Sequence, residues 1–454
     1  MKTLLLLSLW TTLTYAQLIR IPIEAKESLR RERIDFNPDH FHHPHYLVGY
    51  VEKAELSRMS SSLRKQVFLL DGKQWAIGAY DRETFEKHEL KTKDFYEGYH
   101  DYAALTSELK RLVELYPKLI TLKTAGQSVQ GRELWYVIVT EGVDPLRAKP
   151  KFIYHANMHG DEVVGRELMI YLLRHLTQQY GRDPIVTQIL KNAQVYVMPS
   201  MNPDGFELRT RENAHGRDLN RNFPDRFDSP SDTPSGREIE VQRMMQLAKE
   251  NHFVFGMNWH GGEICFNLPW GNISNHDEKN KHGDDSFFAP IGREYTSFNS
   301  TMYQNDHDNF DHGLTYGYEW YPVNGGINDW YNFYRRSLHA VVELSFTKWP
   351  QASTLNTYWD SNRDAMITYL WRGMRGVHLE LKDTLGNLIA TPTITVAALP
   401  KRPLTFDGGT LHRLTGDGRQ TVTISAPGFQ SKTIEVDANY FDGTFVGVTL
   451  DKNG

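Results

Sequence analysis

An α/β domain followed by a small all-β region is the fold class this sequence predicts, and three observations carry it. An apolar run, Lys151-Phe152-Ile153-Tyr154, leads through a short loop into Val163, Val164, Leu168, Met169, Leu172, Leu173 and Leu176, which recur at helical spacing to about Tyr180. A second apolar strand spans Phe253-Val254-Phe255-Gly256-Met257-Asn258-Trp259. From about Gly376 the texture changes to short alternating or β-branched strands separated by turn residues. With 454 residues the chain exceeds one ordinary domain. It divides into residues 1–16, 17–95, 96–375 and 376–454.

Lys2 and the largely apolar run from Leu4 through Trp10, followed by Thr14-Tyr15-Ala16, read as a secretory signal with cleavage after Ala16. The run is too short to span a bilayer. The expectation is therefore a secreted or periplasmic protein with no transmembrane segment. Residues 17–95 read as a prodomain or accessory α+β domain, with a helix near Lys53 to Lys65 and no clear processing signal. Pro38 and Pro44 flank the cluster His40, His42 and His43, with His45 just beyond, and the whole reads as an exposed loop.

The strand and helix around residues 151–180 place His159 and Glu162 at the carboxyl end of the strand and in the first turn of the helix, where open α/β sheets hold their ligands. His-x-x-Glu is a weak signal by itself in a chain with 19 histidines. The strand ending at Trp259 delivers His260 to the same edge, however, and two imidazoles with one carboxylate form the three-ligand set of a catalytic zinc site. Glu343 closes the apolar run Ala340-Val341-Val342, where burying a carboxylate is costly without a task.

Other segments are ordered around these residues. Asn202-Pro203-Asp204-Gly205 and Arg211 lie between the metal motifs, followed by Asp218-Leu219-Asn220-Arg221-Asn222-Phe223-Pro224-Asp225. Tyr321 precedes Gly325-Gly326. Taken singly, the first of these predicts only a turn, an Asn-Arg pair is an ordinary solvated loop, and Tyr321 belongs to an aromatic stretch suited to packing. Together with Asn157-Met158-His159-Gly160-Asp161-Glu162 and Asn258-Trp259-His260-Gly261-Gly262, they resemble the zinc metallocarboxypeptidases of the funnelin type. The resemblance is nearest to the regulatory subfamily that includes carboxypeptidases E, N and D, and it covers roughly residues 95–454.

The resemblance implies a mixed central sheet with helices on both faces, and one zinc ion held by His159, Glu162 and His260. It implies that Glu343 is the general base, that Arg211 stabilises the oxyanion, and that Asn220, Arg221 and Tyr321 receive the C-terminal carboxylate of a peptide or protein. Physical reasons stand beside each role. A guanidinium binds a planar carboxylate bidentately, a donor aimed at developing charge lowers the barrier, and a carboxylate can move a proton from water to a leaving amine. Asp218 is expected to accept the second ring proton of His159. One departure concerns specificity. Gly271 stands where the subfamily carries the acid that receives basic side chains, and Asn328 occupies the other pocket position, so strict basic specificity is not expected. Asp161 and Glu263 offer acidity near the metal ligands instead.

Beyond the catalytic region, a helix near Thr354 to Met374 leads to Val377–Lys382, Thr393–Val396, Thr421–Ile424 and Phe445–Leu450. These strands predict a small antiparallel sandwich, and the subfamily's transthyretin-like domain is similar. Acidic residues number 56 and basic residues 51, which points to no nucleic-acid partner. Cys265 is the only cysteine, so no disulfide forms within the chain. That favours a bacterial exported protein, whereas the sequons at Asn272 and Asn299 would favour the opposite if used. The leading function is removal of single C-terminal residues from peptides. A cell-wall peptide amidase would use the same site, and an inactive binding scaffold is disfavoured because no ligand or base is missing. The sequence sets neither the oligomeric state nor the physiological substrate.

Overall fold

The computed structural model describes residues 16–22, 26–32, 36–42, 46–52, 57–64, 68–69, 98–142, 149–227, 231–272, 281–306, 309–399, 404–405, 409–416 and 418–453. Residues 1–15, which carry most of the signal-like run, lie outside this set. The chain forms two compact units, residues 1–82 and 83–454.

In the first unit, β1 (Ala16–Pro22), β2 (Phe36–His42), β3 (Tyr46–Glu52) and β4 (Phe68–Leu69) make an antiparallel sheet in the order β2-β3-β1-β4. His40 and His42 therefore belong to a strand rather than to a loop. Pro38 is tolerated because β2 lies at the sheet edge, and pairing is irregular between Pro38 and His42. The helical expectation near Lys53 to Lys65 reduces to the single turn Ser61–Arg64 and a two-residue helical stretch at 57–58, with 53–56 and 65 outside the described residues.

The second unit is built on an eight-stranded mixed sheet. Its strands are β5 (Ile120–Gln127), β6 (Glu133–Val139), β7 (Lys151–Ala156), β8 (Gln194–Met198), β9 (Phe255–His260), β10 (Ile264–Leu268), β11 (Leu314–Tyr316) and β12 (Leu338–Leu344). They run in the order β11-β10-β12-β9-β7-β8-β6-β5. The central strands β12, β9, β7 and β8 are mutually parallel, while β5 and β6 join antiparallel at one side. Alternation along β7 sends neighbouring side chains to opposite faces. Ile153 packs with Val241, Met244 and Met245 of the helix Ile239–Asn251. On the other face the Tyr154 hydroxyl donates to the Met366 carbonyl, at 2.8 Å, in the helix Leu355–Gly373. Helices thus cover both faces, as expected for strands that are buried throughout. The helix Val164–Gln179 approaches the sheet so closely that a Cβ on Gly165 would lie 2.7 Å from Cβ of Trp259.

Parallel pairing brings the carboxyl ends of β7, β9 and β12 to one edge, with Glu343 directly opposite His260. No helix among the described residues is long and apolar enough to cross a membrane.

The C-terminal strands are β13 (Arg375–Asp383), β14 (Thr393–Val396), β15 (Leu404–Thr405), β16 (Thr410–Arg413), β17 (Gly418–Ser425), β18 (Lys432–Tyr440) and β19 (Val446–Leu450). Strand β13 touches β18 only at Arg375 and Gly376, and then pairs with β16 and β19. This corner folds the strands around one core containing Leu379, Leu381, Ile394, Val422 and Ile424. A buried ion pair ties this region to the catalytic part, with Arg413 2.6 Å from Asp284.

Candidate metal centre and substrate cleft

His159, Glu162 and His260 meet at the carboxyl edge of the sheet, all buried, with ligand atoms within 4.8 Å of one another. His159 Nδ1 and His260 Nδ1 lie 3.1 Å apart, and they are 3.0 and 2.8 Å from the same Glu162 oxygen. Two imidazole nitrogens converging on one carboxylate oxygen form a donor set suited to zinc. The opposite ring nitrogens are also held. His159 Nε2 donates to Asp218 Oδ1 at 3.1 Å, and the Asn258 carboxamide lies 2.7 Å from His260 Nε2. With Nδ1 given to a metal, Nε2 carries the proton; the Asn258 Nδ2 faces it here, and turning the carboxamide over presents as acceptor the oxygen, which has no partner among the described residues.

The loop bearing His159 and Glu162 is shaped by Asn157, which adopts a left-handed φ of 56°. Its amide donates to the carbonyls of His159, Gly160 and Glu162 at 2.9, 3.1 and 3.2 Å, and its oxygen accepts from Ser200. This extends the loop, so Glu162 sits ahead of the helix that starts at Val164 rather than in its first turn. No composition or periodicity signal marks Asn157 for this task.

Charge in the site is closely compensated. Arg211 lies 2.9 Å from Asp218 and 3.3 Å from Glu162, and Lys348 lies 3.1 Å from both Asp161 and Glu162. Burial alone would raise the Asp218 carboxyl, but its hydrogen bond to His159 and the Arg211 charge hold it well below the usual range. Burial, reinforced by the nearby Glu162 charge, pushes the Glu343 carboxyl well above its ordinary value, and one of its oxygens has no hydrogen-bond partner among the described residues.

Five of the remaining sequence candidates face one cleft. Asn220, Gly271, Tyr321, Asn328 and Glu343 all line it. Asn220 Oδ1 accepts from the Ile327 N–H at 3.0 Å, which binds the 218–223 loop to the segment after Tyr321. Close approach requires Gly325, whose φ is +69° and where a Cβ would lie 2.7 Å from the Arg221 carbonyl oxygen. Arg221 is exposed, interacts with Tyr321 and donates to the Asn220 carbonyl at 2.9 Å.

Two expectations about acidity change. Asp161 is engaged by Lys348, and Glu263 accepts from Asn305 at 3.2 Å and from the Ile264 N–H at 2.9 Å, so both carboxylates already have partners. The cleft does contain an acid that the aligned positions did not suggest, Asp329, adjacent in sequence to Asn328. Burial pushes its carboxyl up to about 6, against the opposing hydrogen bond from Gly271 N–H and the Arg226 charge. Both sequon asparagines are buried, with Asn272 donating to Asp225 at 3.2 Å and Asn299 to Asn362 at 3.3 Å. Neither is accessible for glycosylation in the folded chain. Cys265 is buried, and burial raises its thiol well above the ordinary value, so it is no nucleophile.

The zinc carboxypeptidase family, peptidase M14, matches residues 105–365. Carboxypeptidase D of Anas platyrhynchos is 34% identical over 379 residues, covering 78% of this chain and 27% of that protein. Carboxypeptidase M of Mus musculus is 32% identical over 355 residues, covering 73% of this chain and 79% of that protein. This chain thus spans about a quarter of the length of carboxypeptidase D. Among solved structures, thrombin activatable fibrinolysis inhibitor is similar with a TM-score of 0.51 and 17% identity, over 79% of this chain and 100% of that one. Carboxypeptidase A from Helicoverpa armigera has a TM-score of 0.51 and 16% identity, over 79% and 98%. At these identities the two structures speak to the fold alone.

Proposed function

Because this chain belongs to the zinc carboxypeptidase family, we propose that it is an exported metallocarboxypeptidase that removes single residues from the C-termini of peptides or proteins. The observation that carries the reading is the convergence of His159, Glu162 and His260 beside Glu343, a buried carboxyl with an unpartnered oxygen. Zinc held by the first three supplies a Lewis acid that polarises the scissile carbonyl and activates water.

The other steps belong to side chains. Arg221 and Asn220 receive the terminal carboxylate, with Tyr321 at the rim. Glu343 takes a proton from the attacking water and returns it to the departing amine. Arg211, neighbouring the ligands, stabilises negative charge on the carbonyl oxygen. Asp218 orients His159 through Nε2. Export rests on the apolar N-terminal run with Ala16 as the cleavage point.

Zinc content measured together with release of C-terminal residues, for the wild type and Glu343→Gln, tests the reading. One zinc in each protein with release only by the wild type is the expected result. Equal release by the variant removes Glu343 from its role, and absence of zinc removes the whole proposal.

A further inference from the structure

The cleft lined by Glu343 and Tyr321 has a volume of about 40 Å³, and Asn267, Gly271, Asn328 and Asp329 line it as well. The Asp329 carboxylate in it is already engaged. Asp329 Oδ1 accepts from the Gly271 N–H at 2.7 Å and Oδ2 from the Asn272 N–H at 3.0 Å, while the Arg226 guanidinium lies 4.0 Å from Oδ2. Arg226 is itself held over the Trp270 ring and by the Asn272 carbonyl. A cationic side chain entering the pocket finds Asp329 already engaged, which leaves Glu343, the proposed general base, as the other carboxylate lining it. An anionic one faces Asp329 and Glu343.

Neutral polar groups are received differently. Asn267 Oδ1 is buried with no hydrogen-bond partner among the described residues. Asn328 Oδ1 accepts from Asn332 at 3.2 Å, which leaves its own amide hydrogens unspent among the described residues. A buried polar group left unpaired is costly. A carboxamide is donor and acceptor at once, so one ligand group complements both asparagines. Val323 and Val341 provide apolar wall for the methylenes that carry it.

From this geometry we propose that Asn267, Gly271 and Asn328 form a specificity pocket for a C-terminal residue with a carboxamide side chain, glutamine or asparagine. The assignment rests on the carboxypeptidase reading above and adds the substrate class to it. The two carboxamides meet the ligand's amide, and the absence of a side chain at Gly271 leaves room for it.

The test is release of the final residue from peptides that differ only there, ending in Gln, Asn, Glu, Leu or Arg, using the zinc-loaded full chain and mass spectrometry. Gln or Asn is expected to lead in kcat/KM by about tenfold or more, as for sites whose hydrogen bonds an analogue cannot satisfy. Asn267→Leu should erase the advantage over Leu. Gly271→Asp should raise Arg release about tenfold by adding a carboxylate to the pocket, and its Cβ meets only ordinary contacts, with Asp329 Oδ1 at 3.5 Å and Val323 at 3.6 and 3.7 Å. Leading release of Arg, Leu or Glu by the wild type overturns this proposal and leaves the peptidase reading intact. Release of none, with zinc bound, overturns both. If Asn267→Leu fails to fold, Gly271→Asp carries the test, and an unchanged ranking in that variant overturns the pocket assignment.

Discussion

Asp218 Oδ1 lies 3.1 Å from Nε2 of His159, the ring nitrogen opposite the one that faces Glu162 and His260. The carboxylate fixes the tautomer and ring plane of a metal-facing imidazole, and it is itself anchored by Arg211 at 2.9 Å and by the Asn220 N–H at 2.8 Å. Asp218→Ala should therefore weaken zinc binding by about 10-fold to 100-fold. Competition against a chelator of known affinity measures this directly, and an unchanged affinity would show that His159 needs no such support.

The two arginines should separate kinetically. Arg211 neighbours the proposed metal ligands, and its loss should lower kcat by about 10²-fold to 10³-fold, the range for removal of an oxyanion donor. Arg221 is exposed and contacts Asn220 and Tyr321, which line the cleft, so Arg221→Ala should act mainly through KM by removing ground-state binding. Steady-state kinetics on one peptide distinguishes the patterns, and a pure KM effect from Arg211→Ala would reverse its assignment.

Gly160 tests how tightly the ligand loop is seated. A Cβ there would collide with the backbone of Gly205 and the Phe206 nitrogen, neither of which can rotate away. Gly160→Ala should cost about 1–3 kcal/mol of stability by overpacking and should also reduce zinc affinity, since the loop carries two ligands. Denaturant unfolding with and without zinc separates the effects.

The C-terminal sheet contains a buried pH-sensitive residue. His378 Nε2 donates to the Asn439 carbonyl at 3.2 Å, and burial lowers the imidazole pKa from 6.5 to about 4. The unfolded chain therefore takes up this proton first as pH falls. The contribution is intact above 6.5 and declines between 6.5 and about 4. At pH 5 the loss is on the order of 2 kcal/mol, from roughly 1.5 pH units at about 1.4 kcal/mol each. Unfolding of the wild type and His378→Gln at pH 7 and pH 5 checks this, and identical pH dependence would refute it.

The Asp284–Arg413 pair joins the C-terminal sheet to the catalytic part with both side chains buried. Breaking a buried pair from one side leaves an uncompensated charge, so Asp284→Ala should destabilise by about 3–5 kcal/mol. Thermal unfolding of the full chain gives the answer, and a change under 1 kcal/mol would mean that Arg413 finds another partner.

The strand–loop–helix around His159, the strand ending in His260, and the buried Glu343 are legible in the sequence because apolar periodicity and misplaced charge are local signals. The change to short strands after Gly376 is legible for the same reason. Local signals do not reach Pro38 in β2, where edge position overrides a loop-forming residue. Nor do they reach Asn157, whose left-handed backbone is stabilised by three carbonyls brought within reach of one amide. Chain order and chemical type determine which residues are available for catalysis. Only the tertiary structure decides that Lys348 answers Asp161 and Glu162, and that Asp329 is consumed by the amides of Gly271 and Asn272. The physical reason is that a charge's partner depends on distances across the folded sheet edge, and Lys348 and Glu162 are 186 residues apart in the chain yet 3.1 Å apart in space.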